Sequence, residues 1–213
     1  MAKLRFNVEE ANTHDMARII DEINDSGDYF YQRFRKQRRA MFFEFWKRHL
    51  EWQRLLESPE IDGHIVNFGC GTGHADVLLA ANGKKIHGID NSKTGIAIAN
   101  YLRGLQHPSI KKNVSFECVT LGPNTAEKQY DSVWSSHVFE HIEDPSEAFA
   151  GLKRIVKPKA KMLISVPFGK AFDHPTHVHH WYSEEEVRDH FQKHVVVIEA
   201  KRQDKLLRIL CEL

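Results

Sequence analysis

One stretch limits what this chain can fold into more than any other. The apolar run Ile65-Val66-Asn67-Phe68 passes without a spacer into Gly69-Cys70-Gly71-Thr72-Gly73 and then into Ala75-Asp76-Val77-Leu78-Leu79-Ala80. That order predicts a strand, a tight turn and the N-terminus of a helix. Glycines at 69, 71 and 73 permit backbone dihedrals that other residues resist, and they leave no side chain between the turn and a ligand lying across it. A dinucleotide fingerprint needs its third glycine at position 74, where His74 stands, and a phosphate loop needs Lys followed by Ser or Thr, which is absent. A phosphate-bearing cofactor is therefore disfavoured. The next apolar run ends at Ile89-Asp90, and an acid at the carboxyl end of a neighbouring strand can accept both hydroxyls of a ribose.

From residue 60 onward, short apolar runs alternate with helical stretches: HIVNFG, KIHGID, VSFECVT, DSVWSS, KMLISVP and VVVIEA, with KLLRILCEL closing the chain. Strands alternating with helices predict a doubly wound α/β domain with a mainly parallel sheet. Its length of 213 residues suits one such domain plus an added segment. The sharpest change of pattern is at Pro59, so the expected organisation is an N-terminal helical segment, 1–59, and a cofactor-binding domain, 60–213. Lys and Arg total 30 against 29 Asp and Glu, so no global field favours nucleic acid or an anionic membrane. Cys70, Cys118 and Cys211 are odd in number and lack metal-ligand spacing, as expected of reduced thiols. The start, MAKLRFNVEE, has no apolar core for secretion. No window approaches the roughly 18 apolar residues of a membrane span, so a soluble cytoplasmic protein is the expectation.

Taken in order, VNFGCGTGHA, HGIDNS, YDSVWSSHVFEHIEDP and LKRIVKPKAKMLISVPF resemble the motif set of class I S-adenosylmethionine-dependent methyltransferases, over about residues 60 to 213. The resemblance implies a Rossmann-like, seven-stranded sheet with the last strand antiparallel. It also implies S-adenosylmethionine as cofactor and S-adenosylhomocysteine as product, with the methionine end near Gly69, Cys70, Gly71 and Gly73 and the ribose on Asp90 beside Asn91. Thr120 and Ser136 follow as further cofactor contacts, and the segment Ser135 to His141 lies beside the sulfonium. Lys157-Pro158 marks the family's turn before the fifth strand. Two positions depart from the family pattern. Asn67 stands where Asp or Glu is usual, and the stretch Cys118 to Pro123 lacks the acid often found near the adenine.

Methyl transfer from a sulfonium is an in-line displacement in which the protein mainly aligns nucleophile and donor. A hydroxyl acceptor also needs its proton removed, for which histidine is the usual base. Of the 14 histidines, His137 and His141 follow the fourth strand and His174, His177, His179 and His180 follow the fifth. Both places are carboxyl ends of strands, where open α/β sheets bind ligands. Three readings compete. In the first these histidines line or order the pocket, as Glu140-His141 does structurally in related methyltransferases. In the second His141, or a histidine of the later loop, is the general base of an O-methylation. In the third His137, Glu140, His141 and His177 or His179 bind a metal, because H-x-x-E-H followed by a His-rich loop resembles the metal-binding set of small-RNA 2′-O-methyltransferases. There the first position is Glu; His137 in its place shifts preference from Mg²⁺ towards Zn²⁺, Mn²⁺ or Fe²⁺. The reading carried forward uses no metal and takes His141 and His177 for the chemistry.

Before the first strand, residues 28–58 lack Gly and Pro and predict one or two helices. Between Tyr31 and Arg54, eight Lys or Arg stand against two Glu, a surplus of six. Arg33, Arg35, Arg38 and Arg39 with Phe42, Phe43, Trp46 and Trp52 can select a charged or aromatic acceptor, or the aromatics can pack inward while the cations face water. The function expected is methyl transfer to oxygen of a small or medium-sized metabolite, with no membrane partner. The alternatives are a metal-assisted RNA 2′-O-methyltransferase and a non-catalytic cofactor-binding protein, for which Asn67 is the hint.

Overall fold

The computed structural model describes residues 13–25, 28 and 58–213. The basic aromatic stretch from Tyr31 to Arg54 lies outside them. Seven strands form a sheet in the order β3-β2-β1-β4-β5-β7-β6, where β1 is His64–Phe68, β2 Lys85–Asp90, β3 Val114–Cys118, β4 Tyr130–Ser136, β5 Val156–Pro167, β6 Val196–Gln203 and β7 Leu206–Glu212. The chain divides into two compact units, Met1–Ser58 with Cys70–Val119, and Pro59–Gly69 with Thr120–Leu213.

The first unit holds β2 and β3, paired in parallel with Gly88 beside Phe116. Its helices are α1 (Thr13–Ile23), α2 (His74–Ala81), α3 (Lys93–Gly104) and α4 (Pro108–Lys111). Ser92 caps α3 by accepting the Gly95 N–H at 2.8 Å, which satisfies one of the donors a helix start leaves open. Helix α1 lies within the 1–59 segment expected to be helical, where Met16, Ile19, Ile20 and Ile23 carry helical spacing.

The second unit holds β1, β4 and β5 in parallel, with β7 antiparallel to both β5 and β6. Strands β4 and β5 read as near-continuous apolar runs because parallel strands bury both faces, and Val133, Met162, Ile164 and Val166 are fully buried. Strand β7 alternates instead, sending Leu207, Ile209 and Cys211 inward. The mainly parallel sheet and its one antiparallel closing strand are those the motif order implies. One local feature differs. Helix α5 (Ser146–Ile155) runs directly into β5, and the turn expected at Lys157-Pro158 is an irregularity within the strand. There the register jumps from Tyr130 against Val156 to Ser132 against Lys161. Lys159 takes a left-handed φ of 64° in the excursion and donates its N–H to the Leu213 carbonyl at 3.1 Å.

The three cysteines are free thiols. No helix among the described residues is long and apolar enough to cross a membrane.

Candidate functional site

In the first unit, the turn after β1 is shaped by backbone hydrogen bonds. Cys70 donates its N–H to the Ile89 carbonyl at 3.0 Å, and Gly73 returns its own to the Cys70 carbonyl at 3.0 Å. Gly73 is in the left-handed region at φ 70°, and a Cβ there would lie 2.6 Å from Phe116 Cζ and 2.7 Å from Ala99 Cβ. Only glycine fits both the dihedral and the space. This is the junction at which α2 begins, with Gly73 as its cap.

Asp90 ends β2 and is fixed by the same turn. Its Oδ2 accepts the Gly71 N–H at 2.8 Å and its Oδ1 accepts the Ser92 N–H at 2.8 Å. Each carboxylate oxygen keeps a further lone pair, as a pair of vicinal hydroxyls requires. Burial raises the Asp90 carboxyl above its ordinary value, and the N–H bonds from Ser92 and Gly71 pull the other way. A second acid completes this corner. Asp28 Oδ2 accepts from the Ser92 hydroxyl at 2.7 Å and from the Thr94 N–H at 3.2 Å. Sequence reasoning missed Asp28, because nothing in its local spacing connects it to residues 92 and 94. The exposed Asn91 accepts from the Cys118 thiol through its carbonyl at 3.6 Å. His74 is buried against Thr72 Oγ1 at 2.8 Å, and desolvation pushes its ring down to about 3.

In the second unit, Gly69 closes β1 at φ 78°, where a Cβ would meet Val138 Cγ2 at 2.1 Å. Ser136 ends β4 half-buried, and Thr120 is exposed beyond β3. The chain then turns through His137, at φ 57°, into a single 3₁₀ turn, Phe139–His141. A left-handed histidine stores backbone strain of the kind found at functional sites. What holds the turn is aromatic packing. Phe139, 1% exposed, stacks on Phe149 with ring centroids 5.1 Å apart and meets Phe191 edge-on at 5.2 Å. Phe191 comes from helix α6 (Glu184–Phe191), which Ser183 caps.

This turn and the loop after β5 are joined by main-chain bonds. The Glu140 carbonyl accepts the N–H of Val178 at 2.8 Å and of His179 at 3.2 Å. The two histidine groups, far apart in sequence, thus meet. Glu140, His141 and His177 each place a ligand-type atom within 4.8 Å of the other two. Glu140 is 0% exposed, His177 half-buried and His141 exposed, so the cluster opens from a buried carboxylate towards solvent. His141 and His177 meet edge-on with centroids 4.7 Å apart. Burial lowers the His177 ring below the ordinary histidine value, against the opposing pull of Glu140.

The other histidines are committed elsewhere. His137 donates from Nδ1 to Glu140 Oε1 at 3.2 Å. His179 donates from Nε2 to the carbonyls of Ile142 and Glu143 at 3.0 and 3.1 Å, clasping the loop. His174 Nδ1 lies 2.9 Å from the Thr176 hydroxyl and accepts that residue's N–H at 3.3 Å. His180 donates from Nδ1 to the Gly169 carbonyl at 3.3 Å.

Comparison with known proteins agrees with this architecture. The family model of a methyltransferase domain matches residues 31–199. The chain is 26% identical over 103 residues to a ubiquinone biosynthesis O-methyltransferase of Coxiella burnetii, covering 48% of this chain and 42% of the relative. It is 25% identical over 165 residues to the tRNA U34 carboxymethyltransferase of Idiomarina loihiensis, covering 73% of this chain and 49% of that protein. The chain therefore spans less than half the length of these curated relatives. Among solved structures, a chain from the complex between the Haloferax volcanii Trm112 methyltransferase activator and a putative methyltransferase superposes with a TM-score of 0.65. It has 20% identity and covers 87% of this chain and 97% of that one. The glycopeptide N-methyltransferase MtfA complexed with S-adenosylhomocysteine gives a TM-score of 0.62 at 12% identity, covering 76% of this chain and 88% of that one.

Proposed function

Because this chain belongs to the methyltransferase domain family, we propose that it moves the methyl group of S-adenosylmethionine onto a hydroxyl oxygen of a small or medium-sized metabolite, releasing S-adenosylhomocysteine. Gly69, Cys70, Gly71 and Gly73 cradle the methionine end and Asp90 takes the ribose hydroxyls, with Asn91, Thr120 and Ser136 as further contacts. The acceptor oxygen forms its bond to the methyl carbon as the carbon–sulfur bond breaks, and sulfur keeps the electron pair. The hydroxyl proton passes to the His141–His177 pair.

The observation that carries oxygen as the acceptor atom is the gathering of Glu140, His141 and His177 within 4.8 Å at the carboxyl end of β4. A hydroxyl, unlike a neutral amine, needs its proton drawn away in the transition state, and two imidazoles beside a carboxylate are suited to that. The relatives named as ubiquinone biosynthesis O-methyltransferases support the same atom. A second reading, methylation of an RNA, is favoured by the similarity to a tRNA-modifying enzyme over 73% of the chain and by the basic surplus between Tyr31 and Arg54.

Calorimetric titration with S-adenosylhomocysteine, followed by mass spectrometry of products from a panel of phenols, catechols and bulk tRNA, separates these readings. Micromolar binding with a methyl group on oxygen of a small acceptor is the expected result. Label appearing in RNA, with affinity falling steeply as salt rises, transfers the conclusion to the second reading. Absence of S-adenosylhomocysteine binding removes both.

A further inference from the structure

We infer that Glu140, His141 and His177 are the three protein ligands of a divalent transition-metal ion that holds the acceptor hydroxyl. The inference rests on the reading of oxygen as acceptor and changes how that oxygen is activated. The first observation is distance. The three ligand-type atoms already lie within 4.8 Å of one another, and metal–ligand bonds of about 2.0–2.2 Å need only a further inward movement of about 1 Å.

The second, independent observation is an unmet polar demand at the same place. Glu140 is 0% exposed, and its Oε2 is buried without a hydrogen-bond partner. The buried Nδ1 of His177 also has none. Such unmet atoms are costly in an interior, and a cation held by both residues satisfies them.

The surroundings are those of an oriented ligand set. His141 Nδ1 lies 2.9 Å from the Thr176 hydroxyl and 3.2 Å from the Thr176 carbonyl, so Nδ1 is turned to these two groups and Nε2 is the ring nitrogen left for an ion. The imidazole of His137 holds Glu140 Oε1 at 3.2 Å and leaves Oε2, the oxygen without a partner, for the ion. His137 is thus a positioning residue and not a ligand, which the H-x-x-E-H spacing does not reveal. Two imidazoles and one carboxylate suit Zn²⁺, Fe²⁺ or Mn²⁺ better than Mg²⁺, which prefers an oxygen shell. Three protein ligands leave a coordination position for the acceptor, on the side where His141 is exposed. Coordinated there, the hydroxyl gives its proton to bulk water in place of the imidazoles. The oxygen then displaces the sulfonium as above.

Cobalt(II) chloride titrated into chelator-stripped protein tests this directly, because Co²⁺ on imidazole and carboxylate ligands shows visible d–d absorption. One equivalent per chain, displaced by Zn²⁺ and not by millimolar Mg²⁺, is expected. His137→Ala should weaken binding by about 10- to 100-fold, and Glu140→Gln and His141→Ala by more. His141 is exposed, so that variant tests the site without disturbing the core. Absence of the band, displacement by Mg²⁺, or a band unchanged in His141→Ala overturns the ion. The titration uses neither cofactor nor acceptor. Its failure removes the ion and leaves oxygen transfer by imidazole base standing, whereas a methyl group found on nitrogen removes the functional reading and leaves the metal count untouched.

Discussion

The Gly71–Asp90 corner and the Glu140–His141–His177 cluster are built on opposite principles. The first is made of main chain: a turn whose glycines are forced by dihedral and space, with N–H groups holding one carboxylate. The second is made of side chains brought from two loops and held by carbonyl bonds and an aromatic base. A corner of the first kind is specified locally and suits a ligand of constant shape. A cluster of the second kind depends on tertiary placement, and its chemistry can change one residue at a time.

That contrast is sharpened most by His141→Ala. Turnover should fall about 10²-fold or more while affinity for S-adenosylhomocysteine is unchanged, as read by steady-state kinetics and calorimetry. An equal loss in both would break the separation between the two regions. Next comes the main-chain counterpart, Gly73→Ala. A left-handed alanine costs about 1–2 kcal/mol, and crowding against Phe116 adds about 1–3 kcal/mol, both measurable by urea unfolding. A variant as stable as the parent would mean that space and dihedral do not dictate glycine there.

Acid should act on the first region through His74. Its folded-state value of about 3 lies below the ordinary 6.5, so between these limits the unfolded chain binds a proton that the folded chain refuses. Stability is therefore whole above pH 6.5 and declines as pH falls towards 3, by about 2 kcal/mol between pH 7 and 5. His190, held down to about 4 by burial, acts in the same direction with less weight because it is half-exposed. Unfolding free energies of His74→Gln that follow the same pH slope would remove this assignment. The smallest effects belong to the acids of the corner. Asp90→Ala should weaken cofactor binding about tenfold, roughly 1.4 kcal/mol. Asp28→Asn, acting through Ser92, should weaken it by less. A larger loss for Asp28→Asn would show that this acid, and not Asp90, dominates the corner.

The same division governs what could be read from sequence. Gly69, Gly71 and Gly73 were legible because a strand, a turn and a helix start follow one another without a gap, so the requirement and the residue that meets it are neighbours, and Asp90 because it closes the next apolar run. The sheet was legible because buried parallel strands such as β4 and β5 are short unbroken apolar runs. His141 and His177 could be named together as candidates, but what joins their loops could not be read, since they stand 36 positions apart and the bond is made by the Glu140 carbonyl, which every residue type possesses. Which way His137 turns was equally hidden, because its direction depends on a left-handed backbone that the letter H does not encode. Asp28 escaped notice because its partners, Ser92 and Thr94, lie across the chain.

The loop that carries His177 is closed at its base by the pairing of Phe168 with Trp181 and by the Gly169 N–H on the Trp181 carbonyl. Midway, Val178 is gripped through its N–H group, and His179 through its N–H group and its ring Nε2. The main-chain anchors are indifferent to side-chain identity, and only His179 adds one that is not. The exposed apolar residues Phe172 and Val178 can accordingly be exchanged, or the tip lengthened at small entropic cost, without unfastening the loop. On the acceptor role proposed for this loop, an engineer seeking a new acceptor would graft here, between two fixed fasteners, and leave the glycine turn alone.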